Sequence, residues 1–399
     1  MKKLLMIDPR FPTAIKSPNH QTILPIGLLK IGSYYRSQGW DVRLVRLSES
    51  QDPIDWQPSK IIITSIFTYW SEYVKDAVDW ARRHYPNVHI EVGGVFASLQ
   101  PKLCKEVTGC DSVYVGVMDE AEKFLPSYDL LSTDVDYQIL HTSRGCQRRC
   151  KPCGVYLCEP KQLFKDTIKD EVFKKKLIFY DNNLLANPNI EKILRELILL
   201  KRQKVIRSCE SQSGFDGRIL RKKPYLATML RESGFVYPKI AWDGSLKSWK
   251  TREKEIQLLI DVGFRKPDIS VFMLFNHELS FVELEYKRMH CFKWGVQVTP
   301  CRFRPLNQLY DNYVGRCKSQ TGEDYFIHPK WTDAQIRQFN RNVRQHNLAV
   351  RYRAKYYSSK IEHKKVDLDL HKKLRFEKYS NALKYLDDIW NPNEFRGCE

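Results

Sequence analysis

The chain has 399 residues, a hydrophobic content of 42% and a formal net charge of +19. That length is enough for two or three domains with substantial cores. No run of about 18 uncharged apolar residues occurs, which argues against a membrane span. The basic excess favours nucleic acid, an acidic surface or another polyanion as partner, with plain solubility as the alternative.

The N-terminal MKKLLMIDPRF reads as a first β-strand rather than a signal peptide, because Asp8 breaks its apolar run. Eleven cysteines without an export signal then fit a reducing, cytoplasmic setting in which thiols stay free or bind metal.

Over the first 120 residues apolar strand-like runs at 2–8, 41–47, 60–65, 88–94 and 112–116 alternate with helical patterns. The helices are ILPIGLLKIGSYYRSQG and YWSEYVKDAVDWARRHYP, whose apolar residues recur at three and four. Such alternation predicts a doubly wound parallel sheet over 1–130, with ligands beyond the carboxyl ends of its strands. Gly93, Gly94 and Gly116 fall at those ends.

A second series starts near 137, with strands at 137–143, 177–182, 205–211, 239–244, 268–276 and 296–303. Helical patterns fill the gaps, two of them stopped by Gly234 and Gly263. Six βα units over 137–310 predict a partial (βα)6 barrel. The region 311–399 reads as basic and mainly helical. Within 330–399 there are 16 Lys/Arg against 9 Asp/Glu, with aromatic residues interleaved. Arg337, Arg341 and Arg344 are spaced to share a helix face, with Arg351 and Arg353 following.

Cys146, Cys150 and Cys153 stand in C-x3-C-x2-C spacing directly after the strand YQILHTS. Three thiolates on one loop can hold three irons of a [4Fe–4S] cluster and leave the fourth open. A zinc site completed by His141 or Cys158 is the other reading of the same residues. This constellation resembles the radical S-adenosylmethionine superfamily, although Pro152 stands where an aromatic residue is usual before the third cysteine. The resemblance implies a [4Fe–4S] cluster and S-adenosylmethionine as cofactors. It further implies a 5′-deoxyadenosyl radical as the reactive species, and an electron donor such as flavodoxin or ferredoxin.

The run 178-IFYDNNLLANP-188 resembles a second-strand segment of the cobalamin-binding branch, which places Asp181, Asn182 and Asn183 near the cofactor's amino group. Glu210 and Asp243 end later strands where relatives contact ribose or carboxylate, though both also read as turn formers. The order of domains and the segment 113-VYVGVMDEAEKFLP-126 extend the likeness to residues 1–310. On that branch, cobalamin binds the N-terminal domain and methyl transfer to an unactivated centre is the common outcome. None of the ten histidines stands in D-x-H-x-x-G.

Three functions stay open on these residues: a radical enzyme acting on RNA or another macromolecule, a radical enzyme rearranging or cyclising a small metabolite or peptide, and a zinc-stabilised RNA-binding protein. No residue is assigned to catalysis beyond the cofactor sites.

Overall fold

The structure, a computed structural model, describes residues 1–12, 23–317 and 319–352. They form two compact units. The first is Met1–Ser213 with Arg304–Tyr313 and Glu323–Phe326. The second is Gly214–Phe303 with Val314–Gly322 and the described residues from Ile327 onward. Both are mixed α/β. Arg353 and the rest of the basic segment lie outside the described residues.

The first unit opens with β1 (Lys3–Asp8), α1 (Ile26–Ser37), β2 (Asp41–Arg46), β3 (Lys60–Ser65) and α2 (Ser71–His84). It continues through β4 (Ile90–Gly94), α3 (Val95–Leu99), α4 (Pro101–Thr108) and β5 (Ser112–Val113). The five strands pair in parallel in the order β2-β1-β3-β4-β5. Alternate residues of β1 explain the double winding. Leu4 and Met6 join Leu28 of α1 in one core, whereas Leu5 and Ile7 join Val74, Ala77 and Val78 of α2 in another. The sheet's strand order reverses between β1 and β3, so a crevice opens at their carboxyl ends.

A second sheet of this unit follows. It comprises β6 (Tyr137–Leu140), β9 (Lys176–Phe179) and β10 (Ser208–Ser211), parallel in the order β10-β9-β6. Between β6 and β9 lie β7 (Ser143–Arg144), α5 (Val155–Cys158) and β8 (Leu163–Phe164), with β7 and β8 antiparallel. The helix α6 (Ile190–Arg202) buries Ile190, Ile193, Leu194, Leu197 and Leu200 on one stripe. Each such side chain contributes about 1.5–3 kcal/mol on burial.

The second unit holds α7 (Gly217–Lys222), α8 (Tyr225–Glu232), β11 (Lys239–Ala241), α9 (Trp249–Asp261) and β12 (Ser270–Phe275). It ends with α10 (Phe281–Trp294), β13 (Gln297–Arg302) and α11 (Asp333–Tyr352). Its strands form a parallel sheet β11-β12-β13. The six strands expected between 137 and 303 are therefore all present, as three in each unit. Gly234 and Gly263 follow α8 and α9 with φ of +83° and +92°, as helix stops require. Among the described residues no helix is long and apolar enough to cross a membrane.

Candidate functional site

The cysteine loop is the tip of a hairpin. β6 runs out at Leu140, and β7 pairs with β8 through Ser143↔Phe164 and Arg144↔Leu163, which closes the base of the loop 145–162. Gly145 turns there with φ +75°, and a Cβ at this position would lie 2.4 Å from the Lys161 carbonyl oxygen. Only glycine fits.

Asp181 ties this base to β9. It is fully buried and accepts from the Thr142 N–H (3.0 Å), the Thr142 hydroxyl (2.6 Å) and the Ser143 hydroxyl (2.7 Å). Burial raises its pKa, while the Thr142 and Ser143 donors pull the other way. These bonds tie the base of the hairpin to the end of β9. Asn182 does the same one step further out: its amide donates to Glu159 Oε2 at 2.9 Å, and that oxygen also accepts the Gly145 N–H at 2.7 Å. Asn183 follows on the same turn and is half-buried.

An ion-pair chain runs on from Glu159. Its Oε1 accepts from Arg144 at 3.2 Å, and Arg144 grips Glu122 through two nitrogens at 2.9 and 2.7 Å. Glu122 in turn accepts from Lys30 Nζ at 2.7 Å. Burial pushes the Glu122 carboxyl up, but Arg144 and Lys30 pull it further down, to about 2. Burial, then the charges of Arg144, Lys30 and Lys165, hold the His141 pKa well below the ordinary imidazole value, so this ring is neutral.

The cysteines contrast with their base. Cys150 is exposed, and Cys146 and Cys153 are half-buried. The Cys153 N–H donates to the Cys150 carbonyl at 3.0 Å, and the Arg148 N–H approaches Cys146 Sγ at 3.4 Å. Among the described residues no group of three or more His, Cys, Asp or Glu side chains converges to hold a metal ion. The donor set itself suits an iron–sulfur cluster: three thiols within eight residues of chain, outside the apolar cores. Cys158 differs. Its thiol reaches the Val95 carbonyl at 3.8 Å, and burial, with Glu159 and Cys153, pushes it up to about 12.

The carboxyl ends of β6, β9 and β10 share one edge through the register Leu140↔Phe179↔Ser211. Glu210, buried within β10, receives the Gln212 amide at 3.3 Å. Asp243 belongs to the second unit, on an exposed turn after β11. There the buried Lys287 donates to the carbonyls of Trp242 (2.6 Å) and Gly244 (3.0 Å), pinning the turn from both sides of Asp243. Burial lowers Lys287 to about 8 despite the Asp243 charge.

Gly93, Gly94 and Gly116 all line one cavity of about 310 Å³ at the carboxyl edge of the five-stranded sheet. A Cβ on Gly94 would fall 2.1 Å from the Ser65 carbonyl oxygen, so the β4 end must be glycine for β3 to lie this close. Asp8, Lys30, Arg46, Glu122, Arg144 and Glu159 also line the cavity. None of these was singled out from the sequence, although Arg144 adjoins the cysteine motif and Glu122 lies in the quoted 113–126 segment. Pairing such as that of Lys30 with Glu122, 92 positions apart, leaves no local signal.

The cavity lies at the low end of the range of about 300–1,000 Å³ usual for small-molecule pockets. Compared with family models the chain matches none, and compared with curated protein sequences it likewise matches none.

Proposed function

We propose that the chain is a radical S-adenosylmethionine enzyme acting on a small substrate. One observation carries the reading: three thiols in C-x3-C-x2-C spacing occupy the tip of a hairpin whose base is locked at the carboxyl edge of parallel strands. Cys146, Cys150 and Cys153 would hold a [4Fe–4S] cluster, which when bound supplies the electron that cleaves S-adenosylmethionine to a 5′-deoxyadenosyl radical.

The chain's own residues do the positioning. Asp181 fixes Thr142 and Ser143, Glu159 holds the Gly145 N–H, and Asn182 braces Glu159, so the loop's two ends stay put while its tip closes on a ligand. Metal sites often complete their geometry only on metal uptake. The partial barrel expected for 137–310 belongs to this same proposal.

The reaction stays open between cobalamin-dependent methyl transfer to an unactivated centre and cobalamin-independent rearrangement or cyclisation of a small metabolite or peptide. The RNA alternative drew on the arginine stripe. Arg337, however, pairs with Asp333 at 2.6 Å and Arg341 donates to Gln338 at 2.7 Å, leaving Arg344 and Arg351 as the exposed members of the described set. The zinc-stabilised alternative needs a fourth ligand from His141 or Cys158, whereas three thiols suffice for a cluster with one open iron.

Anaerobic reconstitution with iron and sulfide tests the proposal, with dithionite standing in for a flavodoxin or ferredoxin. About four irons per chain and release of 5′-deoxyadenosine are expected. Iron-loaded protein that releases none overturns it.

A further inference from the structure

The cavity of the first unit contains two buried charges that the protein leaves partly unserved. Lys30, on α1, is 5% exposed and lines the cavity. Its ammonium has three N–H donors, and the described residues take one of them, through Glu122 at 2.7 Å. Burial and the neighbouring Arg144 charge hold its pKa below the ordinary lysine value, so the cation is under-compensated where it sits. Asp8, at the end of β1, is 6% exposed and lines the same cavity. Its Oδ2 accepts from Arg46 Nε at 3.0 Å, and among the described residues nothing donates to its Oδ1.

Leu24, Ile62 and Ile66 add apolar surface to the lining. A buried ammonium with spare donors attracts an anionic or strongly accepting group, and a buried carboxylate with a spare oxygen attracts a cationic or N–H group. The crevice lies where the strand order reverses, the place at which parallel sheets of this kind take ligands.

We infer that this cavity is a binding site for a small amphoteric molecule of amino-acid to nucleoside size, with an apolar body, an acidic group held by Lys30 and a donor group held by Asp8. The site rests on the first unit alone and not on the cysteines, so loss of iron chemistry would leave it standing.

L-Tryptophan combines the three features and serves as the probe, with tryptamine lacking its carboxylate and indole-3-propionate lacking its amine. Isothermal titration of the full chain should give L-tryptophan at least about a tenfold advantage over either analogue. Lys30→Met should erase the advantage over tryptamine, and Asp8→Asn the advantage over indole-3-propionate. Gly27 supplies a variant that keeps the fold, since it lines the cavity and a Cβ there meets nothing within 4 Å. Gly27→Leu should plug the mouth and abolish binding of all three probes. Absence of wild-type binding at millimolar concentration, an unchanged rank order in the Lys30 and Asp8 variants, or undiminished binding by Gly27→Leu would overturn the inference.

Discussion

The base and the tip of the cysteine hairpin are built on opposite plans. At the base, Asp181, Glu159, Arg144 and Glu122 are buried or nearly so, and each holds two or more hydrogen bonds to its neighbours. At the tip, the thiols are half-buried or exposed and no three of them converge. Charges taken out of water must be paired within the protein, so the base is fixed by folding. The tip bears no such obligation, and its final geometry is left to whatever it binds. Preorganisation sits around the loop rather than in it.

The sharpest break of this contrast comes from the tip. Replacing Cys146, Cys150 or Cys153 with Ala should abolish iron retention and release of 5′-deoxyadenosine altogether. The urea midpoint of the apo chain should barely move, because a substitution away from the core usually changes stability by within about 0.5 kcal/mol. A triple-Ala protein that still retains four irons would sink the cluster assignment.

Substitutions in the base should do the reverse, costing stability before chemistry. Glu122→Gln leaves Arg144 and Lys30 buried with one charge fewer between them, and about 3–5 kcal/mol is the expected loss in urea unfolding. Asp181→Ala strands three donors and should cost about 3 kcal/mol. Either variant unfolding at the wild-type midpoint would show that the base is not held by these contacts.

Acid should separate two carboxyls within the first unit. Glu122 sits at about 2 against 4.5, so its contribution is complete above pH 4.5 and is lost as pH falls toward 2. Burial, opposed by Arg46, raises Asp8 from 3.8 to about 6. The folded chain then keeps a proton that the unfolded chain releases, and stability from this group is lost as pH rises through that window. Each window corresponds to about 3 kcal/mol. Asp8→Asn should flatten the fall between about pH 4 and 6, and Glu122→Gln the loss below it. Stability curves that keep both slopes in the variants would contradict the pairing described. The smallest effect belongs to Cys158→Ala. Iron content and cofactor cleavage should be unchanged, with stability moving by less than about 1 kcal/mol.

Much of the fold was legible because its signals are local. The three-and-four spacing in YWSEYVKDAVDWARRHYP and the apolar run KIIITS each specify an element without help from distant residues. The cysteine spacing and the glycines at strand ends were legible for the same reason. What stayed hidden is pairing over long separation. Nothing near Lys30 announces Glu122, and nothing near Cys146 announces that Asp181 will spend its carboxylate on Thr142 and Ser143. The motif draws attention to Asp181 as a cofactor neighbour, and nothing in it announces that the residue also braces the hairpin. Asp243 likewise reads as a strand-end polar residue, while the lysine that pins its turn, 44 positions later, lies inside a helix.

Two glycines of the first unit have opposite consequences for how the protein can vary. In a library randomised at single codons and sorted for folded chains, position 145 should return glycine alone, since any side chain would collide with the Lys161 carbonyl. Position 27 should return nearly the whole alphabet apart from proline, because its side chain would project into open space at the cavity mouth. The pocket's selectivity can therefore drift by single substitutions while the loop that carries the thiols is held to one solution.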